Sequence, residues 1–568
     1  MPGMEGSVVD APARGAPSRT GGPVPAGDGG AAPSSEEHRV TRPPVLNGRW
    51  RTAAEAGLIV VVAVGLVLRF WTRSALWLDE ALTVDISRLP IHEIPSYLKR
   101  DGAPPLFYVL LHFWMGAFGT SREAVRALSG VLSVATLPVA WVAGRRYGGR
   151  TVAWVTVALL ASAPFAVYYA TEVRMYSLVM FLTACGFVAV DRALRRPCPG
   201  NLLAVAVVGA ALLYSQYWSL YLLGALGIWL LWQAWRGRPE WRNNARWVVA
   251  ALVVSALAFV PWLPTFFYQS AHTGTPWSKT PNFAAVIDSV TGFGDNQATH
   301  QTAGTNQGRL LALGYFILGG LALFGLARDR WHIELDIRTR PAGRGVAFVV
   351  VVTLFAAIAG GILTGSAFSP RYASVIFVPL ILLVAFGSLT LLDARLRAGV
   401  VAVLAVAGLV ASAQNIWTYR TQAPQIAAVI NRYAQPGDIV AFCPDQLGPS
   451  VYQVVAPDHY DLITYPRGTG PQFVDWVDYK SVAKASNPAT FARELGAKAV
   501  AGGHTIWLIS AEGYQGFGTK CQILGGDLLT APGFGAHQWV NASPDTYYEP
   551  MQLTEFKPPT TPTTPTTR

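Results

Sequence analysis

The amino-acid sequence predicts an α-helical polytopic membrane protein with about eleven transmembrane helices and a small C-terminal α/β domain outside the membrane. Three observations lead there. Of the 568 residues, 52% are hydrophobic and only 14% charged, against about 25% charged in a soluble globular chain. Apolar stretches of roughly 20 residues, long enough to cross a hydrocarbon core about 30 Å thick, recur from Ala54 to Asn415. Arginine clusters separate these stretches in alternation, as the positive-inside rule requires of a chain that crosses repeatedly.

Residues 1–48 are rich in Gly, Pro, Ala and Ser. Such a segment cannot bury enough apolar surface to offset its ordering entropy, so it is predicted to be a disordered cytoplasmic N-terminus. The first apolar stretch starts at Ala54, too far in for an ordinary signal peptide, and follows Arg39, Arg42, Arg49 and Arg51. It reads as an uncleaved helix entering from the cytoplasm. The spans then fall near 54–72, 125–144, 151–169, 174–190, 202–214, 218–235, 247–262, 309–327, 346–364, 372–392 and 398–415. Alternation from a cytoplasmic start places Arg145, Arg146 and Arg150 inside, then Arg192–Arg196, Arg236–Arg246, Arg328–Arg344 and Arg395–Arg397. An odd number of crossings leaves everything after Ile416 outside.

That reading depends on Pro104–Gly119, "PPLFYVLLHFWMGAFG". Counting it as a crossing would put every later arginine cluster outside, so it is read as a helix lying along or dipping into the outer interface. The domain boundaries follow: a transmembrane domain over 49–415 with an outer loop at 72–123, an α/β domain over 416–550, and a disordered Thr/Pro tail over 551–568. Short β-prone runs such as "DIVAFC" (438–443) and "HTIWLIS" (504–510) alternate with helical stretches in the third of these. The net charge of +11 does not indicate nucleic acid, because the arginines sit between apolar spans rather than along one basic face. Four cysteines without CxxC or Cys/His spacing suggest no metal centre and exclude a disulfide scaffold. Cys443 and Cys521 both fall in the polar C-terminal part, and sequence separation leaves open whether they pair.

The outer loop opens with "WLDEALTVD", which sets Asp79 and Glu80 just beyond the first helix. A solvated loop would accommodate the pair. Other ionisable residues are expected on the same side of the membrane. Glu172, Arg174 and Tyr176 lie in "YYATEVRMYSL", and Arg371 and Tyr372 in "SPRYASVIFVPL". Charges at helix ends beside an apolar phase are costly unless paired or facing a wet cavity, so their convergence marks a candidate site. A carboxylate there can act as a general base, and arginines can neutralise a departing phosphate. The plainer alternatives are snorkelling for Arg371 and a local ion pair between Glu172 and Arg174. His112, among Leu, Phe and Trp, reads as an interfacial packing residue.

The strings "WLDEALT", "PPLFYVLLHFW", "REAVRALSGVLSVATLPVAWVAGRRYGG", "PFAVYYATEVRMYSL" and "SPRY", in this order, resemble the GT-C membrane glycosyltransferases. The similarity is to the branch holding protein O-mannosyltransferases, the aminoarabinose transferase of lipid A and their bacterial relatives. It covers Ala54–Asp191 well and Phe368–Gly387 moderately. It implies a GT-C fold over 49–415, a polyprenyl-phosphate-sugar donor, inversion at the anomeric carbon, and a catalytic acid residue at Asp79 with Glu80 beside it. The donor phosphate falls to Arg371 or Arg174 with Tyr372, supported by Glu172 and Tyr176. The Ala/Val/Arg/Gly-rich composition fits a high-GC bacterium. There the resemblance implies a plasma-membrane enzyme that uses polyprenyl-phospho-mannose, with active site and C-terminal domain extracytoplasmic and a membrane lipid, glycan or protein as acceptor. No cofactor is called for, and a divalent metal stays open. The rival class is a transporter or flippase of a lipid-linked glycan. That class shows internal repeats and midplane charges, which this sequence lacks. A non-enzymatic scaffold is a third option, since nothing in the resemblance guides the C-terminal half.

Overall fold

A computed structural model describes residues 48–274, 284–295, 306–330, 332–364, 369–530 and 534–558. The expectations of disorder for 1–47 and for the tail beyond 558 lie outside the described residues. Each apolar stretch read from the sequence is helical over most of its length. Among the described residues, however, eight helices are long and apolar enough to cross a membrane, not eleven. The stretches at 125–144 and 151–169 run on as Arg122–Ser162, broken by non-helical backbone at Gly148 and Gly149. Gly149 has φ 85°, a conformation that costs glycine little. Across this turn a side chain at Gly144 would meet the Ala153 Cα at 2.8 Å. Pro199–Ser215 has only 17 residues. Gln233, Arg236 and three tryptophans dilute the apolarity of Ser219–Arg236.

Four helices precede the second long apolar stretch: α1 (Arg49–Leu68), α2 (Leu78–Arg88), α3 (Ile94–Asp101) and α4 (Leu106–Phe118). The 13 residues of α4 span about 20 Å, short of the 30 Å core. The segment Pro370–Thr390 is buried along almost its whole length; its Phe377 packs on Phe165 and Phe293 at ring distances of 4.8 and 5.2 Å. Peripheral helices instead expose Ile59, Val60 and Val64, or Val403, Val406 and Val410. Apolar stripes of this kind suit lipid as solvent.

The bundle has two chemically different ends. At one, Arg146 and Arg195 pair with Asp191, and the Tyr147 hydroxyl donates to the Ala342 carbonyl at 3.2 Å. Arg340 lies 5.0 Å from the Phe386 ring, and Arg395 lies 5.2 Å from that of Trp50. These contacts gather the arginine-rich connections around 145–150, 192–196, 338–344 and 395. Arg371 opens the segment Pro370–Thr390 and Phe386 sits near its far end. Asp79, Glu172 and Arg371 therefore occupy the opposite end of the bundle.

A two-stranded antiparallel ribbon, β1 (Gly325–Ala327) and β2 (Ile333–Leu335), joins two of the later helices. The C-terminal segment builds a five-stranded sheet from β3 (Ile439–Cys443), β4 (Asp461–Thr464), β5 (Ile506–Ser510), β6 (Gly535–Val540) and β7 (Gln552–Lys557). Its order is β4-β3-β5-β7-β6. The first three strands are parallel, and β7 and β6 are antiparallel additions. Successive side chains of a strand point to opposite faces. Ile439, Ala441 and Cys443 accordingly pack with Leu495, Leu524 and Leu528, while Val440 and Phe442 pack with Ile426, Ile430 and Val451. Helices thus cover both faces. The sheet runs to Lys557, so the boundary placed at 550 by the low-complexity tail falls too early. Leu553 and Phe556 are buried and make β7 part of the core. Cys443 and Cys521 form a disulfide, with Cα atoms 5.5 Å apart.

Candidate active site

The first turn of α2 carries both Asp79 and Glu80. The unsatisfied N–H groups of a helix start favour carboxylates there. Consecutive helical residues point about 100° apart, and the two side chains go to different places. Asp79 lines a cleft of about 380 Å³ between the membrane helices and the C-terminal segment. Trp77 and Leu78, immediately before it, are buried in the core of the sheet unit, so the segment that aims Asp79 is held from both sides.

Arg371 completes this half of the site. Its Nη1 donates to Asp79 Oδ2 at 2.9 Å, across 292 residues of sequence, and both side chains are largely buried. Pro370 opens the short 3-10 turn that carries Arg371. The guanidinium lies 5.6 Å from the Tyr372 ring, and Tyr372 stacks on Trp218 at 5.1 Å. Snorkelling does not describe Arg371, which is turned into a carboxylate-lined cleft.

Glu80 is fully buried and does not line the cleft. Arg126 donates to it through Nε at 2.8 Å and Nη2 at 2.5 Å. The Val173 N–H donates to it at 3.1 Å, and Arg420 Nη1 lies 3.5 Å away. Burial alone would raise the Glu80 pKa. The two guanidiniums, with the Arg126 and Val173 hydrogen bonds, outweigh it and hold the carboxyl below its ordinary value. Arg420 also donates to the Thr171 carbonyl and hydroxyl at 3.0 and 2.7 Å and lies over the Tyr168 ring. One buried carboxylate therefore ties α2 to the helix Arg122–Ser162 and to the chain leaving the last long helix.

Arg174 does not pair with Glu172. Its Nη1 donates to Thr83 Oγ1 at 3.0 Å and to the Tyr108 hydroxyl at 3.2 Å, and Tyr108 donates in turn to Asp101 at 2.9 Å. Glu172 is 1% exposed. Burial pushes its carboxyl up to about 7, with Arg420 the main opposing influence. Tyr176 is buried against Tyr169 at 4.6 Å. His112 donates through Nδ1–H to the Ser87 carbonyl at 2.9 Å and packs on Phe113, a packing role. Among the described residues no three His, Cys, Asp or Glu side chains group so as to hold a metal ion.

Sequence reasoning missed Arg126, Arg420, Tyr548 and Glu549. Arg126 had a signal, a charge inside an otherwise apolar run. Tyr548 and Glu549 had none. They line the cleft beside Asp79 and Arg371 because Thr421 bridges Glu549 in parallel register. Burial pushes the Glu549 carboxyl up to about 8, and the hydroxyls of Thr421 and Ser450 offset part of this.

The chain matches the family model of dolichyl-phosphate-mannose-protein mannosyltransferases over residues 102–264. Among solved structures, ArnT from Cupriavidus metallidurans in the apo state aligns with a TM-score of 0.55 at 15% identity, covering 88% of this chain and 98% of that one. The same protein bound to undecaprenyl phosphate aligns with a TM-score of 0.52 at 13% identity, covering 89% and 98%. No curated protein sequence matches the chain. At such identities the structural likeness is one of fold. Together with the family match it bears out the resemblance to GT-C membrane glycosyltransferases.

Proposed function

We propose that this chain is an inverting glycosyltransferase that moves a sugar from a polyprenyl-phosphate donor to an acceptor at the outer face of a bacterial plasma membrane. The observation that carries the reading is the 2.9 Å bond between Arg371 and Asp79 in the cleft. It sets a phosphate-binding group and a proton acceptor side by side at the end of the bundle away from the arginine clusters. The family match to dolichyl-phosphate-mannose enzymes and a fold shared with a protein solved with undecaprenyl phosphate support the donor class. The same family match favours mannose as the sugar. The disulfide Cys443–Cys521 supports an oxidising, extracytoplasmic setting for the C-terminal segment.

In this mechanism Asp79 takes the proton of the acceptor hydroxyl. The hydroxyl oxygen attacks the anomeric carbon from the face opposite the phosphate, and the bond from that carbon to the phosphate oxygen breaks. The lipid phosphate leaves as an anion and needs no strong acid to protonate it. Arg371 neutralises it, since a guanidinium presents five donors in a planar fork and one that bonds Asp79 can also meet phosphate oxygens. Arg174, braced by Thr83 and Tyr108, adds positive charge from behind. Glu80 acts as a positioning residue for α2.

The test is transfer from radiolabelled polyprenyl-phosphate sugars to a membrane lipid extract by the purified protein. Asp79→Asn keeps shape and removes the proton acceptor. General-base assistance is worth about 10² to 10⁴ in rate, so a loss of that order is expected in a protein that still folds. Near wild-type turnover in Asp79→Asn would sink the assignment.

A further inference from the structure

The cleft beside Asp79 continues past the reacting groups into the C-terminal segment. We propose that this continuation is an acceptor subsite built for an uncharged sugar residue, so that the acceptor is the hydroxyl-rich end of a glycan; this rests on the glycosyltransferase reading above.

The first ground is the chemistry of the walls. Trp77, Trp476, Tyr514 and Tyr548 line the continuation together with Gln446 and Gln515. Sugar rings present faces of C–H groups that stack on aromatic rings, and their edges carry hydroxyls that both donate to and accept from amides. The Trp77 indole N–H is buried and has no hydrogen-bond partner among the described residues. A donor left unpaired in a cleft wall is costly unless a ligand or water accepts from it.

The second ground is charge. Among the described residues lining the cleft, Arg371 is the one cation, against the carboxyls of Asp79 and Glu512, while the Glu549 carboxyl, pushed up to about 8, keeps its proton at neutral pH and offers a donor. Arg371 already bonds Asp79, and the donor phosphate draws on the same guanidinium. An acceptor bearing phosphate or carboxylate would meet like charge without a counter-ion. An uncharged polyol instead donates its hydroxyls to the carboxylates.

The third ground is that the walls are fixed by the fold. The Glu549 N–H donates to the Arg420 carbonyl at 2.7 Å, and the Gln422 N–H to the Glu549 carbonyl at 3.1 Å. These bonds set Tyr548 and Glu549 against the chain that leaves the last long helix. On the other wall the Trp476 N–H donates to the Arg100 carbonyl at 3.2 Å and the Asp478 N–H to that of His272 at 2.8 Å. A site held open in this way loses little ordering entropy on binding. Its volume of about 380 Å³ is in the lower part of the range of about 300–1000 Å³ usual for ligand pockets, which is room for a sugar ring.

The test is isothermal titration of the full chain in lipid nanodiscs. The probes are neutral mannose- or arabinose-containing tetrasaccharides, the same sugars carrying a phosphate, and Ser/Thr-rich peptides. Neutral oligosaccharide should saturate the protein, and the phosphorylated form should bind at least about 10-fold more weakly for want of a second cation. Gln446→Ala and Tyr514→Leu should each weaken neutral sugar about 10-fold, while Tyr514→Phe, which keeps the ring, should stay close to wild type. Peptide or phosphosugar binding in place of neutral sugar would overturn the subsite, as would indifference to both Gln446→Ala and Tyr514→Leu. Undecaprenyl phosphate titrated into the same nanodiscs separates the two levels. Lipid phosphate binding without oligosaccharide binding rejects the subsite alone, whereas loss of both rejects the glycosyltransferase reading beneath it.

Discussion

Exposed arginines at one end of the helix bundle and buried arginines at the other serve the fold in opposite ways. At one end Arg150, Arg236 and Arg395 stay exposed. Arg236 and Arg395 rest over Trp235 and Trp50, 4.3 and 5.2 Å from the ring centres. At the other end Arg69, Arg126 and Arg420 are buried and their donors are directed. Arg69 alone bonds the carbonyls of Gly65, Leu160 and Ala161 and the Ser133 hydroxyl. Exposed arginines such as Arg150, Arg236 and Arg395 act as charges in a count, unlike their neighbour Arg397, which is buried and donates to the Leu391 carbonyl at 2.9 Å. A buried arginine acts through geometry, and its removal strands whatever it held.

The largest expected effect tests that contrast at Glu80. Removing one partner of a buried ion pair typically costs about 3–5 kcal/mol, because the remaining charge is left uncompensated. Glu80→Gln strands Arg126 and Arg420 together and is expected to lower unfolding stability in detergent by that amount. Asp79→Asn, one residue earlier, leaves Arg371 at the wall of a cleft that admits water and should cost clearly less than Glu80→Gln. Were Glu80→Gln to keep wild-type stability and lose transfer instead, the division of labour between the two carboxylates would be reversed.

A smaller effect distinguishes Glu80 from Glu172 by pH. The Glu172 carboxyl is raised from 4.5 to about 7, so the folded chain holds a proton that the unfolded chain has already released. Its stabilising contribution is complete below the unfolded value and is lost as pH rises through about 7. Glu80 is held below its ordinary value, so its contribution is present above that value and is lost on acidification. Glu172→Gln should therefore flatten the decline in stability between pH 4.5 and 7 and gain on the order of 3 kcal/mol above pH 7. A pH profile identical to wild type would mean that Glu172 is charged in the folded protein.

How far the sequence reaches follows the same division. Asp79, Glu172, Arg174, Tyr176 and Arg371 could be grouped from sequence because each stands at the end of an apolar run, where a charge is conspicuous. The strands at 439–443 and 506–510 were legible as β-branched and aromatic runs. Arg126 stood in plain view inside an apolar run, but nothing local says that it folds back onto Glu80. Arg420 and Glu549 depend on a bridge between the linker at Thr421 and a residue 128 positions later, which no local pattern encodes. The strand β7 was lost to the tail because "QLTEFK" runs directly into "KPPTTP", where proline and threonine dominate the composition. The helix count differs between sequence and structure because apolarity marks a stretch without fixing its length or its breaks. Gly148–Gly149 and the 17-residue helix Pro199–Ser215 are decided by turn geometry and packing.

The smallest expected effect lies at the arginine-rich end, and its smallness is the point. Arg395 is exposed and meets Trp50 at 5.2 Å. A cation over an exposed aromatic ring is worth about 0.5–1 kcal/mol, and exposed substitutions away from buried networks usually stay within about 0.5 kcal/mol. Arg395→Gln should therefore shift unfolding by less than about 1 kcal/mol and leave transfer unchanged, since the bundle separates it from Asp79. The side chain also has a length of methylene chain to lay along the ring, which glutamine partly replaces, so the shift should fall toward the lower end of that range. A loss comparable to that of Glu80→Gln, measured in the same unfolding assay, would show that Arg395 is held by specific partners. The contrast between counted and placed arginines would then fail at the end where it should be easiest to see.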